Sequence, residues 1–149
     1  MNRNRRLVRR GTVAAFTTVA VAGLGPAGLT ASGASAAAAP QTKEIASSVL
    51  GEDYRFTLTA VRSADDAYAA TVRLQVYTYD GGVWTESDRA TVGEADGWFW
   101  YPLTGKGGVC RFSTSAADPA PVDVSLLITP SIGCSGPEHF VVENGTIRA

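Results

Sequence analysis

The sequence predicts an all-β fold: an antiparallel β-sandwich of the immunoglobulin-like kind, with a small β-barrel as the alternative. Three observations carry this. Apolar and polar residues alternate with period two along several stretches, and no comparable stretch repeats at helical spacing. Turn signals rich in Gly, Asp, Asn and Pro return about every 8–12 residues, which divides the chain into about seven or eight short strands. The chain has 149 residues, room for one domain behind a short targeting segment and not for two.

The elements follow in order. Residues 42–50 are open between two states. Ile45 and Val49 stand four apart, as on a helix face, and an extended reading fits equally well. Tyr54, Phe56, Leu58 and Ala60 alternate with Arg55, Thr57 and Thr59, which gives a strand one apolar face. A polar turn at residues 63–66 leads into a long strand, 68–79. Ala70, Val72, Leu74 and Val76 make its apolar face, and Thr71, Arg73, Gln75, Tyr77 and Tyr79 make the other. Asp80-Gly81-Gly82 is a tight turn, because Asp and Gly tolerate the positive φ of primed hairpin turns. The return strand is 83–92, a turn follows at 93–97, and 98–103 is a short aromatic strand. A Gly-rich loop surrounds Lys106 at 104–108. Strands at 109–115 and 122–129 are joined by Asp118-Pro119-Ala120-Pro121, and Val122, Val124, Leu126 and Ile128 share one apolar face. A second loop covers 130–137. Strands 140–143 and 146–148 flank Asn144-Gly145, a strong two-residue hairpin signal. No repeat of solenoid or propeller period is visible.

Residues 1–36 read as a signal peptide, and 37–149 as a single secreted β domain. The first ten positions hold five arginines and no acid. An apolar run at 13–24 follows, shorter than the roughly 20 residues a membrane-spanning helix takes. Gly25, Pro26 and Gly28 interrupt it, and Ala34-Ser35-Ala36 fits the small-residue cleavage rule, as does Ala36-Ala37-Ala38. Arg5-Arg6 and Arg9-Arg10 resemble a twin-arginine export signal. The places two and three after each pair, large and apolar in the usual motif, hold Val8 and Arg9 or Thr12 and Val13, so the general secretory route is equally open. The layout is an Ala/Thr/Gly-rich leader followed by one acidic β-rich domain with a single Cys pair. It resembles that of small secreted proteins of high-GC actinobacteria, many of unknown function. The resemblance rests on layout and implies no catalytic residue. It fits an extracellular protein without membrane association after signal removal.

The formal charge of −1 hides an asymmetry. Removing five of the 13 basic residues with the leader leaves eight against all 14 acids, a balance of −6. Such a chain lacks the electrostatic attraction that dominates nucleic-acid binding, so no nucleic acid is expected as a partner. Cys110 and Cys134 are the only cysteines. In an exported chain they are expected to pair, tying the 130–137 loop to the sheet, with a stabilisation of roughly 3 kcal/mol for a loop of about 25 residues.

Few residues offer chemistry. His139 is the only imidazole, and no Ser lies in a G-x-S-x-G nucleophile motif. Glu138 and His139 are adjacent, so an extended strand sends them to opposite faces. Glu86 and Asp88 share a strand face about 7 Å apart in this reading, a spacing open to glycoside hydrolysis and equally to a solvated sheet face. Gly105-Lys106-Gly107-Gly108 lacks the upstream Gly and the following Ser/Thr of a phosphate loop. No D-x-[DN]-x-[DN]-G loop appears, and neither a metal nor a cofactor is expected.

The aromatic residues are the binding candidates. Trp98, Phe99, Trp100 and Tyr101 are consecutive, with Trp84 on the preceding strand and Tyr77 and Tyr79 nearby. Trp98 and Trp100 share one face of a strand, and Phe99 and Tyr101 the other. Either the strand is buried on both sides or one face presents large aromatic surface to solvent. The expected function is a non-catalytic binding protein whose aromatics, Trp84, Trp98, Trp100, Tyr77 and Tyr79, meet a carbohydrate or protein partner. The alternatives are a small extracellular hydrolase using His139 or the acidic pair, and a protease inhibitor presenting Lys106.

Overall fold

The computed structural model describes residues 39–149; the signal-peptide reading of 1–36 lies outside them. Thr42–Leu50 (β1) is extended, which resolves the open choice there in favour of a strand. Its next neighbours are Tyr54–Arg62 (β2), Ala69–Asp80 (β3) and Val83–Val92 (β4). Trp98–Phe99 (β5) leads directly into a helical turn, Trp100–Thr104 (α1). Val109–Thr114 (β6), Ala120–Thr129 (β7), Gly133–Cys134 (β8), Glu138–Glu143 (β9) and Thr146–Arg148 (β10) complete the described residues. None of their helices is long and apolar enough to cross a membrane.

The strands form two antiparallel sheets. The first runs β1-β2-β3-β4, with β5 on β3 beyond the end of β4. The second runs β10-β9-β7-β6, with β8 on β7. The architecture is the expected sandwich and not a closed barrel. Along the main path of each sheet the strands follow chain order, β8 aside, and no strand crosses to the other sheet and back. The connections explain this. Gly81 and Gly82 (φ 56° and 89°) and Asn144 and Gly145 (φ 52° and 75°) make two-residue turns, which return the chain onto the strand it just left. The passage between sheets runs through β5 and α1.

The core lies between the sheets. Phe56, Leu58 and Ala60 of β2 and Ala70, Val72, Leu74 and Val76 of β3 face Val122, Val124 and Leu126 of β7 and Phe140 and Val142 of β9. In β3 buried and half-buried residues alternate without a break from Ala69 to Tyr77, as the period-two pattern requires. The sheets also meet along their margins. At one seam Ser48 Oγ and Thr114 Oγ1 are 2.6 Å apart. At the other, Ser87 Oγ donates to the Gly145 carbonyl at 2.9 Å, and Ile147 N–H donates to Asp88 Oδ2 at 2.8 Å. Cys110 and Cys134 form a disulfide, joining β6 to the segment after β7 as expected.

Candidate functional site: the outer face of the first sheet

The aromatic candidates divide between core and surface. Trp98 and Trp100 are 7% and 6% exposed and belong to the core, which overturns their reading as a binding surface. Two local features put them there. Gly93 has no side chain, and an added Cβ would lie 3.1 Å from the Trp98 ring, so glycine leaves the indole its place. The indole N–H then donates to the Val92 carbonyl at 2.7 Å, satisfying its one polar atom. Trp100 opens α1 in place of continuing the strand. Pro102 stands in the first turn of that helix, where its missing N–H has no intrahelical partner to lose. Phe99 and Tyr101, 45% and 57% exposed, point away from the core.

Tyr77, Tyr79 and Trp84 lie on the outer face of the first sheet. Tyr79 pairs with Trp84 across β3 and β4, with ring centroids 5.0 Å apart and planes at 50°. Tyr79 is 37% exposed, and Tyr77 and Trp84 are half-buried. One pairing row further along, Arg55, Tyr77 and Glu86 stand side by side, with the Arg55 guanidinium 5.7 Å from the Tyr77 ring centre. The next row holds Thr57, Gln75 and Arg89, and the one after it Thr59, Arg73 and Thr91. Beyond these, Thr71 and then Ala69 beside Phe99 end the face.

Gln75 is the centre of this surface. Its Oε1 accepts from the Thr59 hydroxyl at 2.7 Å and from Thr57 at 3.4 Å. Its Nε2 donates to Glu86 at 3.0 Å and to the Tyr77 hydroxyl at 3.2 Å. Glu86 in turn pairs with Arg89 at 2.7 Å. The amide thus holds Tyr77 and Glu86 in fixed orientations. Sequence reasoning did not select Gln75 or Arg73, although the alternation in β3 puts both on the face of Tyr77 and Tyr79.

The catalytic alternatives lose their geometry. Glu86 and Asp88 do not share a face. A β-bulge at Ser87 shifts the register, so Glu86 pairs with outward Tyr77 and Asp88 with inward Val76. Both border a shallow depression of about 240 Å³ at the bulge, and both are committed elsewhere. Glu86 holds Gln75 and Arg89, and Asp88 accepts from the Ile147 and Arg89 N–H groups, which hold its carboxyl below the ordinary value of 3.8. His139 sits on the outer face of the second sheet, 68% exposed, with Nδ1 at 2.7 Å from Asp123 Oδ1. That hydrogen bond is the main reason Asp123 lies below the ordinary 3.8. Ser113 hydrogen-bonds Asp123 at 3.3 Å, so the carboxylate stands between the hydroxyl and the ring, and the order a nucleophilic triad needs is absent. Lys106 occupies a four-residue turn closed by Gly108 N–H to the Gly105 carbonyl, with Gly107 at φ 82°. This is a tight turn, in which the chain reverses at Lys106 and Gly107 and does not run on as the extended segment a protease-binding loop presents.

No protein-family model, no curated protein and no solved structure matches this chain.

Proposed function

We propose that the protein is an exported, non-catalytic binding protein whose ligand is a sugar polymer lying along the outer face of the first sheet. The observation that carries the reading is the arrangement of Tyr77, Tyr79 and Trp84 beside the fixed Gln75–Glu86 network. Aromatic faces pack against the C–H faces of sugar rings, and the neighbouring Glu86 carboxylate and the Tyr77 and Thr hydroxyls, which Gln75 orients, keep capacity for directional hydrogen bonds. Phe99 at the far end of β3 adds a second apolar contact about 34 Å from Tyr79, counting ten residues of strand rise. That length suits a chain and exceeds a single sugar. The disulfide and the absence of a spanning helix among the described residues are compatible with an extracellular protein.

Affinity electrophoresis against a panel of soluble polysaccharides tests the reading. Retardation by at least one polymer, lost in Tyr79→Ala/Trp84→Ala, is expected. Unchanged retardation in that variant, or none by any polymer, refutes it.

A further inference from the structure

We infer that the polymer bound on this face is anionic and that Arg73 selects its charge. The inference rests on the reading of the outer face as a sugar-binding strip and adds the chemical class of the ligand.

The face carries three arginines, Arg55, Arg73 and Arg89, and two carboxylates, Glu44 and Glu86. Both carboxylates are occupied. Arg55 lies 3.6 Å from Glu44, and Arg89 lies 2.7 Å from Glu86, which also accepts from Gln75. Asp96, at the Thr71 end, accepts from the Thr71 hydroxyl. Arg73 makes no salt bridge and no side-chain hydrogen bond among the described residues. It is half-buried between Thr59 and Thr91 of the adjoining strands, in the middle of the strip. Its guanidinium therefore holds its donors in reserve, in the planar fork that matches two oxygens of a carboxylate or a phosphodiester.

The overall negative balance does not oppose this. Charges beyond about 8 Å are largely screened at physiological ionic strength, so a ligand seated at the middle of this face responds first to the Arg73 guanidinium, the one arginine there without a salt-bridge partner among the described residues. The hydroxyls of Thr59 and Thr91 flank the cation and suit the hydroxyls of the same sugar chain. Rings at both ends of the strip and a cation between them describe a polymer whose units combine an apolar ring face with an acid.

Three probes separate the possibilities: an oligogalacturonate, its fully methyl-esterified form, and a glycerol phosphate polymer. The first two share a backbone and differ in charge, and the third carries the charge as phosphodiester. Titration calorimetry is expected to show the oligogalacturonate bound about fivefold or more above its ester at low salt, the difference shrinking as salt rises. Tighter binding of the glycerol phosphate polymer, which has no ring face, than of the oligogalacturonate overturns the inference. In Arg73→Gln the preference for the charged probe should vanish, and Arg73→Lys should keep part of it. Thermal denaturation of both variants checks the fold. Equal binding of charged and neutral probes by the parent chain overturns the inference, as does a preference that survives Arg73→Gln. Either result leaves the sugar-binding reading standing if Tyr79→Ala/Trp84→Ala abolishes binding of the ester. Binding of none of the three probes overturns the inference, and the polysaccharide panel decides the broader reading separately.

Discussion

Gly107 and Gly108 are neighbours with opposite reasons for being glycine. A Cβ on Gly108 would fall on the Leu103 carbonyl, which is backbone and has no room to move aside. At Gly107 nothing lies within 4 Å, and only its φ of +82° disfavours a side chain. Gly108→Ala is therefore expected to cost more than about 3 kcal/mol or to prevent folding, and Gly107→Ala only about 1–2 kcal/mol. Urea titration of the two variants measures this, and equal losses contradict the assignment. Asp88 carries the clearest pH dependence. Its pKa is lowered in the folded state, so its contribution to stability is complete above the ordinary 3.8 and is lost as pH falls through the lower folded value. Asp88→Asn should melt below the parent at neutral pH and converge with it in acid. A gap unchanged down to pH 2 would show that the charge of Asp88 contributes nothing. At this scale the sequence was partly legible. Alternation alone puts Glu86 and Asp88 on one face. The bulge at Ser87 reverses that outcome, and a serine inside a strand carries no mark of a bulge.

The strands and turns were largely legible, because the period of β3 and the two-residue Gly and Asn-Gly turns state the local geometry outright. What the period cannot state is which aromatic face turns inward at β5. That is decided by a vacancy at Gly93, five residues before Trp98, and by the Val92 carbonyl. The helical turn α1 was also beyond reach: five residues are too few for a helical repeat to appear. The division of aromatics predicts a division of energies. Trp98→Ala and Trp100→Ala should each cost about 3–5 kcal/mol. The pair Tyr79→Ala/Trp84→Ala should cost less than about 2 kcal/mol, since both rings keep a face in solvent. Guanidinium denaturation followed by circular dichroism reads the difference. Comparable losses for core and surface variants would assign all four rings to packing.

For the molecule as a whole, the class of fold followed from the strands, while their distribution between two meandering sheets did not, because alternation carries no information about partners. The disulfide acts at this scale. Cys110 and Cys134 are 24 residues apart, and removing the bond as Cys110→Ser/Cys134→Ser is expected to cost about 2–4 kcal/mol. A melting temperature unchanged from the parent under oxidising conditions would refute that. The seams between the sheets have a further effect. A strand at the border of a sheet carries backbone groups that any other strand can pair with, and this is how β proteins grow into fibres. Here the borders of the first sheet lie against the second, bridged by Ser48 with Thr114 on one side and by Ser87 and Asp88 with Gly145 and Ile147 on the other. At the β10 border the Gly145 carbonyl and the Ile147 N–H are thereby already taken, and a foreign strand has to displace Ser87 and Asp88 before it can pair there. The sandwich thus guards its β10 border against polymerisation with side chains borrowed from the opposite sheet.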